Sequence, residues 1–408
     1  MNIFDFYSDS SKHSELSALL TLGAQKHPGE LSSNFLEKDI WVTEILRLLY
    51  EEGLVGDHAI AFKGGTALSK CWRAIERFSE DIDLSIHWSD LAGEENEEAA
   101  WLQTTKNPSQ QQKFRKKQTK RLEAWSEELV SRLNERFSAY GIDGLQAVLE
   151  PGSEGEKIDI HFPRVTGNEN RYQLDHILLE FGARNRGRPT IEHPVCCYLS
   201  EVPELSELAL PECKVQVFEP AYILWEKLTA LHQFSTQTKE PDPDRLARHW
   251  YDVDCLMEKR IADPLTTQKA MRDVVEMKKQ RWAQSGVNYD EVPKGQLRLI
   301  PEPERLKTIA KDHQDSVNGR MFFTRPDDFS DIIERLTKVE SSINAINDGF
   351  EKWFMENHRF VYSGAWAQAI SDFQGRTLRS VFSLRDNTER SIHDLRKKLR
   401  EARADNAQ

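Results

Sequence analysis

Ala61-Phe-Lys-Gly-Gly-Thr-Ala-Leu-Ser-Lys70, Cys71-Trp-Arg-Ala-Ile-Glu-Arg-Phe-Ser-Glu80 and Asp81-Ile-Asp-Leu-Ser-Ile-His87 form one continuous stretch, and its reading decides the fold. Gly64-Gly65-Thr66 opens a predicted helix, Arg77-Phe78-Ser79-Glu80 reads as a polar turn, and Asp81–Ile86 alternates like a strand. Residues i and i+2 of a strand point to one face, so Asp81 and Asp83 share a face while Ile82, Leu84 and Ile86 take the other. Two carboxylates side by side repel, and a divalent cation offsets that repulsion. Mg²⁺ prefers carboxylate and phosphate oxygens. Paired glycines let the backbone approach a ligand, and a helix start offers N–H groups to an anion. A phosphate cradle beside a metal-binding carboxylate pair suits nucleoside triphosphate chemistry. The competing reading of Asp81 and Asp83 is an edge strand whose acidic residues guard against aggregation.

Gly-Gly-Thr, a helix and then Arg-Phe-Ser-Glu-Asp-Ile-Asp-Leu resemble the AbiEii/AbiGii toxin family of the polymerase-beta-like nucleotidyltransferase superfamily. The spacing from Gly65 to Asp81 is longer than the superfamily pattern and resembles this toxin family in particular. The resemblance implies an α/β (α+β) fold: a nucleotidyltransferase core with a mixed sheet, followed by a largely helical C-terminal half. It implies a third carboxylate on a strand beside the Asp-x-Asp strand. Glu180, in Leu179-Glu180-Phe181-Gly182-Ala183-Arg184, is the preferred candidate and Asp159 the competitor. Asp81, Asp83 and Glu180 would hold two Mg²⁺ ions, with Mn²⁺ as the alternative, and Gly64, Gly65 and Thr66 would cradle phosphates. Lys227, in a family-like Glu226-Lys227-Leu228, would meet the nucleotide phosphates; an ammonium is a compact charge suited to them. Asp252 fits the family's second Asp near residue 250 and could hold Lys227. His249 stands where the family usually has the first Asp, which departs from the pattern.

The resemblance also implies a toxin of a toxin-antitoxin or phage-defence pair. It would transfer a nucleoside monophosphate from an NTP to RNA, with the tRNA 3′ end as the expected acceptor. A cognate antitoxin is implied, with or without direct contact. Transfer to a protein, and an inactive binding protein of the same fold, are the rival readings. A glycosyltransferase can also use Asp-x-Asp, but it has no need of the preceding Gly-Gly-Thr.

The 408 residues carry 38% hydrophobic and 30% charged side chains, a balance that suits folded, soluble domains. No apolar run approaches a membrane span, and Met1-Asn2-Ile3-Phe4-Asp5 lacks a signal-peptide pattern. The five cysteines have no metal or disulfide spacing, so a reducing cytoplasm is expected. A net charge of −12 argues against indiscriminate nucleic-acid coating and requires any RNA site to be local. The basic loop Arg184-Asn185-Arg186-Gly187-Arg188 directly follows the Glu180 strand; Arg184, Arg186 and Arg188 are the candidate RNA contacts. The run Lys113–Arg121 more simply reads as a solvated helix face.

Four segments are expected: an N-terminal extension at 1–29, loosely attached; the core at 30–215; a helical domain at 216–345; and a helical extension at 346–408. Ser33–Gly53 is strongly helical in pattern. Its Glu37-Lys38-Asp39 resembles a family segment that either braces the site or makes salt bridges on an exposed face. Leu145–Leu149, Lys157–Phe162 and His176–Phe181 read as strands, with a hairpin turn at Gly152–Gly155. Residues 195–211 carry no clear pattern. The aromatic residues Trp353, Phe354, Phe360, Tyr362 and Trp366 fit a core better than base stacking.

Overall fold

The computed structural model describes residues 1–29, 31–56, 58–79, 81–87, 91, 108–167, 174–182, 189–281 and 284–357. The chain divides into two compact units. One comprises Met1–Glu219 with His313–Pro326, the other Pro220–Asp312 with Asp327–Gln408.

The first unit is built on a seven-stranded mixed sheet in the order β3-β4-β5-β2-β1-β7-β6. Its strands are β1 (Ile60–Lys63), β2 (Ile82–Ile86), β3 (Gln146–Leu149), β4 (Lys157–His161), β5 (Ile177–Gly182), β6 (Thr190–Cys196) and β7 (Glu212–Phe218). β1 runs antiparallel to β2, while β2 is parallel to β5 and β1 to β7. Alternation sorts the two faces. Ile82, Leu84 and Ile86 of β2, Ile158 and Ile160 of β4, and Ile177, Leu179 and Phe181 of β5 are buried on one face. Each such side chain contributes roughly 1.5–3 kcal/mol by leaving water. The intervening Asp83, Asp159 and Glu180 stand on the other face.

Helices cover the apolar side: α1 (Phe4–Tyr7), α2 (His13–Lys26), α3 (Ser33–Tyr50), the short α4 (Gly64–Lys70) and α5 (Pro108–Ser138). In α5, Leu122, Trp125, Leu129, Leu133 and Phe137 recur at helical spacing and are buried, with Trp125 edge-on to Phe181 at 5.0 Å. Lys113, Lys116, Lys117 and Lys120 of the same helix are exposed.

Two expectations are corrected here. Residues 1–29 are not loosely attached: Ile3, Leu16 and Leu20 are fully buried, and Phe4 packs 5.0 Å from Trp41. Of the two readings of Glu37-Lys38-Asp39, the exposed face does not hold, since all three are buried. The helix opened by Gly64 ends at Lys70, and residues 71–79 are largely irregular. The unpatterned stretch 195–211 holds the end of β6 and two single-turn 3-10 helices, Tyr198–Glu201 and Pro203–Leu205.

The second unit is helical: α6 (Pro220–Thr236), α7 (Arg248–Glu258), α8 (Gln268–Arg281), α9 (Pro303–Asn318, whose last residues count with the first unit) and α10 (Phe329–Asn357). An extended segment at 297–300 is clasped from α10. Asn344 exchanges two hydrogen bonds with the Leu297 backbone (2.7 and 2.8 Å), and Glu340 accepts from the N–H groups of Leu299 and Ile300. Arg335 of α10 grips the buried Asp254 of α7 with two hydrogen bonds of 2.9 and 2.6 Å. Among the described residues no helix is long and apolar enough to cross a membrane.

Candidate active site

β1 delivers the chain to Gly64, whose φ of +75° is a left-handed conformation that glycine adopts without strain. Gly64 also lies directly against Asp83. A Cβ at position 64 would overlap the Asp83 carboxylate, with Asp83 Cγ 2.5 Å and Cβ 2.8 Å away. Gly65 is equally constrained, since its Cβ would meet Ser79 Oγ at 2.5 Å and Arg77 Nη2 at 2.6 Å. The glycine pair thus lets the turn close onto the Asp-x-Asp strand and onto the Arg77-Phe78-Ser79 segment together. Thr66 completes the seam: its buried hydroxyl donates to the Asp81 carbonyl at 2.6 Å. Phe78 stacks on Phe35 of α3 at 4.1 Å. Its N–H donates to Met321 O at 2.9 Å, while the Phe323 N–H donates to Glu76 O at 2.8 Å, which anchors the segment.

The carboxylates are placed by the ladder. Asp83 of β2 is the register partner of Glu180 of β5 in a parallel pairing, and of Lys63 of β1 in an antiparallel one. Register partners project from the same face. Asp83, Glu180 and Lys63 are therefore neighbours on the polar face, and Asp81 joins them by alternation. Asp159 lies one strand further away, opposite Leu178, with a carboxylate oxygen 3.3 Å from His176 Nε2. Glu180, not Asp159, is the carboxylate on the strand beside β2.

Lys63 went unrecognised in the sequence. Its Nζ lies 3.5 Å from where a Cβ of Gly182 would stand, so its side chain reaches across β2 toward β5 on the carboxylate face. The available signal was a lysine immediately before Gly-Gly at a strand end.

Glu37-Lys38-Asp39 holds this layer from behind. Asp39 pairs with Lys70, the last residue of α4, at 2.5 Å, both side chains being nearly inaccessible, and accepts the Tyr198 N–H at 2.6 Å. Burial alone would lower the Lys70 pKa, but the Asp39 carboxylate overrides it and the net shift is upward. Lys38 donates to Leu174 O at 3.0 Å, and Glu37 accepts from the N–H groups of Val165 (2.7 Å) and Thr166 (3.1 Å) ahead of β5. One turn of α3 is thereby tied to α4 and to the segments flanking β4 and β5.

In the second unit, Lys227 of α6 donates to the fully buried Asp252 of α7 at 2.7 Å. His249, at the departing family position, packs its ring 5.1 Å from Phe234. Arg184, Arg186 and Arg188 lie outside the described residues, as do Phe360, Tyr362 and Trp366.

A mixed sheet with acidic side chains on adjoining strands, closed by a Gly-Gly turn, fits the nucleotidyltransferase class that the family match gives. The chain belongs to the AbiEii family: the model described as "Nucleotidyl transferase AbiEii toxin, Type IV TA system" matches residues 47–335. It is accordingly a nucleotidyltransferase toxin of a type IV toxin-antitoxin system, which implies an NTP substrate and an antitoxin. Among solved structures, it is similar to the nucleotidyltransferase toxin MenT4 from Mycobacterium tuberculosis H37Rv. The identity is 16% and the TM-score 0.40, over 81% of this chain and 98% of that one. No curated protein matches.

Proposed function

We propose that this toxin transfers a nucleoside monophosphate from an NTP to the 3′ end of an RNA, tRNA being the expected acceptor, in a reaction dependent on Mg²⁺. The observation that carries the reading is the alignment of Asp83 with Glu180 across the β2–β5 ladder, with Gly64 closed onto Asp83. Members of the AbiEii family usually use divalent metals, and the donor set here is all carboxylate, the oxygen chemistry that Mg²⁺ takes. Among the described residues no three His, Cys, Asp or Glu side chains converge on a single point. The remaining ligands would therefore come from water and substrate phosphates, as is usual for Mg²⁺.

Asp81, Asp83 and Glu180 would hold two such ions. Bound there, they supply neutralising charge to the triphosphate and lower the pKa of an acceptor hydroxyl. Gly64, Gly65 and Thr66 contribute backbone N–H groups to the phosphates, the Thr66 hydroxyl being engaged with Asp81. Lys63 adds a cation to the carboxylate face. Lys227, held by Asp252, is assigned to the departing pyrophosphate on the family resemblance. The acceptor oxygen attacks the α-phosphorus, the bond to pyrophosphate breaks, and the hydroxyl proton leaves to solvent. Arg184, Arg186 and Arg188 follow β5 in the chain and are assigned to RNA phosphates. The antitoxin opposes this activity with or without direct contact, and the free cysteines fit action in the cytoplasm.

The test is incubation with each α-labelled NTP together with total RNA and total protein, with and without a chelator. Label in RNA that disappears with chelation and in Asp81→Asn supports the reading. Label confined to protein overturns the RNA acceptor.

A further inference from the structure

The polar face of the sheet continues beyond Glu180. In β5 and the residue before it, His176, Leu178 and Glu180 share a side by alternation; in β4, Lys157, Asp159 and His161 do. Register joins the two sets, with Lys157 opposite Glu180 and Asp159 opposite Leu178, so all lie on the carboxylate face. Continued by one step of two residues, that register brings His161 opposite His176. The side chains agree: the two imidazole centroids are 5.6 Å apart with planes tilted by 54°. Both nitrogens of His176 meet carboxylates, Nε2 that of Asp159 at 3.3 Å and Nδ1 that of Asp175 at 2.9 Å, which holds the ring in place. The His176 and Asp159 side chains remain 19% and 21% exposed.

The strand order says what passes over this surface. β1 and the Gly64 turn flank β2 on one side; β5 and then β4 lie on the other. In-line displacement sets the attacking and leaving oxygens on opposite sides of the α-phosphorus. With pyrophosphate on the Gly64–Thr66 side, the acceptor arrives over β5, and the polymer behind its terminus extends toward β4. His176 is four residues from Glu180, about 13 Å along an extended strand. That is too far to touch the reacting hydroxyl, but suits a nucleotide upstream of it. Imidazole faces stack on unpaired bases, and Lys157, beside Glu180, offers a cation to the intervening phosphate.

We propose that His161 and His176 form a stacking platform for an unpaired base just upstream of the acceptor's 3′ terminus, with Asp159 as the residue that positions His176. The proposal rests on the RNA-acceptor reading above. Its occupant is single-stranded RNA. His161 and His176 bind the acceptor and take no part in the chemical step.

The experiment titrates the full-length protein with a short single-stranded RNA carrying 2-aminopurine next to its 3′-terminal nucleotide. Stacking on the wild-type protein is expected to change its fluorescence. In the His161→Ala/His176→Ala protein, affinity should fall roughly tenfold and the fluorescence change should vanish. The KM for NTP should stay the same. His161→Phe/His176→Phe should restore both, because a phenyl ring stacks without the imidazole nitrogens. Asp159→Asn should weaken RNA binding at an unchanged KM for NTP, and it serves as the test if the alanine pair fails to fold. Unchanged affinity and fluorescence in a folded alanine pair, or in Asp159→Asn if that pair does not fold, overturn the platform while leaving an RNA acceptor intact. A wild-type protein that labels RNA but gives no fluorescence change on this probe also overturns it. A wild-type protein that labels only protein overturns the underlying reading.

Discussion

Glu180 and Asp83 are register partners across the parallel β2–β5 ladder, so their carboxylates project side by side from one face of the sheet. Asp83→Asn and Glu180→Gln are each expected to lower transfer by about a hundredfold or more, the scale of several kcal/mol of charge stabilisation. Asp159→Asn should retain turnover at saturating acceptor. Steady-state kinetics on proteins of matched thermal stability decide the matter. A loss in Asp159→Asn as deep as that in Glu180→Gln would move the third carboxylate to β4.

Gly64 and Gly53 both adopt positive φ, +75° and +67°, but a Cβ at Gly53 would meet nothing within 4 Å. Gly53→Ala should therefore show only the backbone penalty, about 1–2 kcal/mol, and keep its transfer activity. Gly64→Ala adds an overlap with Asp83 and should lose both more stability and most of its activity. Paired denaturant melts and activity assays provide the comparison; equal behaviour of the two variants would contradict the close approach at Asp83.

Lys227→Ala removes the ammonium from the fully buried Asp252. Breaking a buried pair in this way destabilises by about 3–5 kcal/mol, so a fall in melting temperature is expected. Asp252→Asn in the same background should recover part of it by discharging the buried carboxylate. If Lys227 meets phosphate, the KM for NTP stays raised in that double variant even as stability returns. A normal KM in the folded protein would leave Lys227 a purely structural role.

His232 lies in the second unit with Nδ1 accepting the Arg298 N–H at 3.0 Å, so its proton is on Nε2, facing Asn288 O at 3.3 Å. Burial pushes its pKa below the usual 6.5. The unfolded chain then takes up a proton at higher pH than the folded chain does. The stabilising contribution is complete above about pH 6.5 and is lost as the pH falls from there toward the lower folded value. The wild-type melting temperature should drop more steeply than that of His232→Phe as the pH falls below about 6.5. Parallel slopes would remove His232 as the cause.

Much of the candidate site was legible because its signals are local. Alternation alone puts Asp81 and Asp83 on one face, and Gly64-Gly65-Thr66 announces a backbone turn that must come close to something. Helical periodicity likewise placed a helix over Ser33–Gly53, which forms as Ser33–Tyr50. Glu37-Lys38-Asp39 was ambiguous, since three charged residues on a helix are ordinarily solvated. Their burial depends on partners far along the chain: Lys70, Tyr198, Leu174, Val165 and Thr166.

By itself the sequence determined which side chains share a face within each strand and helix, because those periods follow from backbone geometry over a few residues. It also determined the family, through motifs that are contiguous or nearly so. Only the tertiary structure decided which strand lies beside β2, and so that Glu180 rather than Asp159 sits on the neighbouring strand. It alone brought Lys63 onto the carboxylate face, His161 onto His176, and Asp39 under α4. Strand neighbours are chosen by hydrogen bonding and apolar burial between distant segments, and no local period encodes that choice.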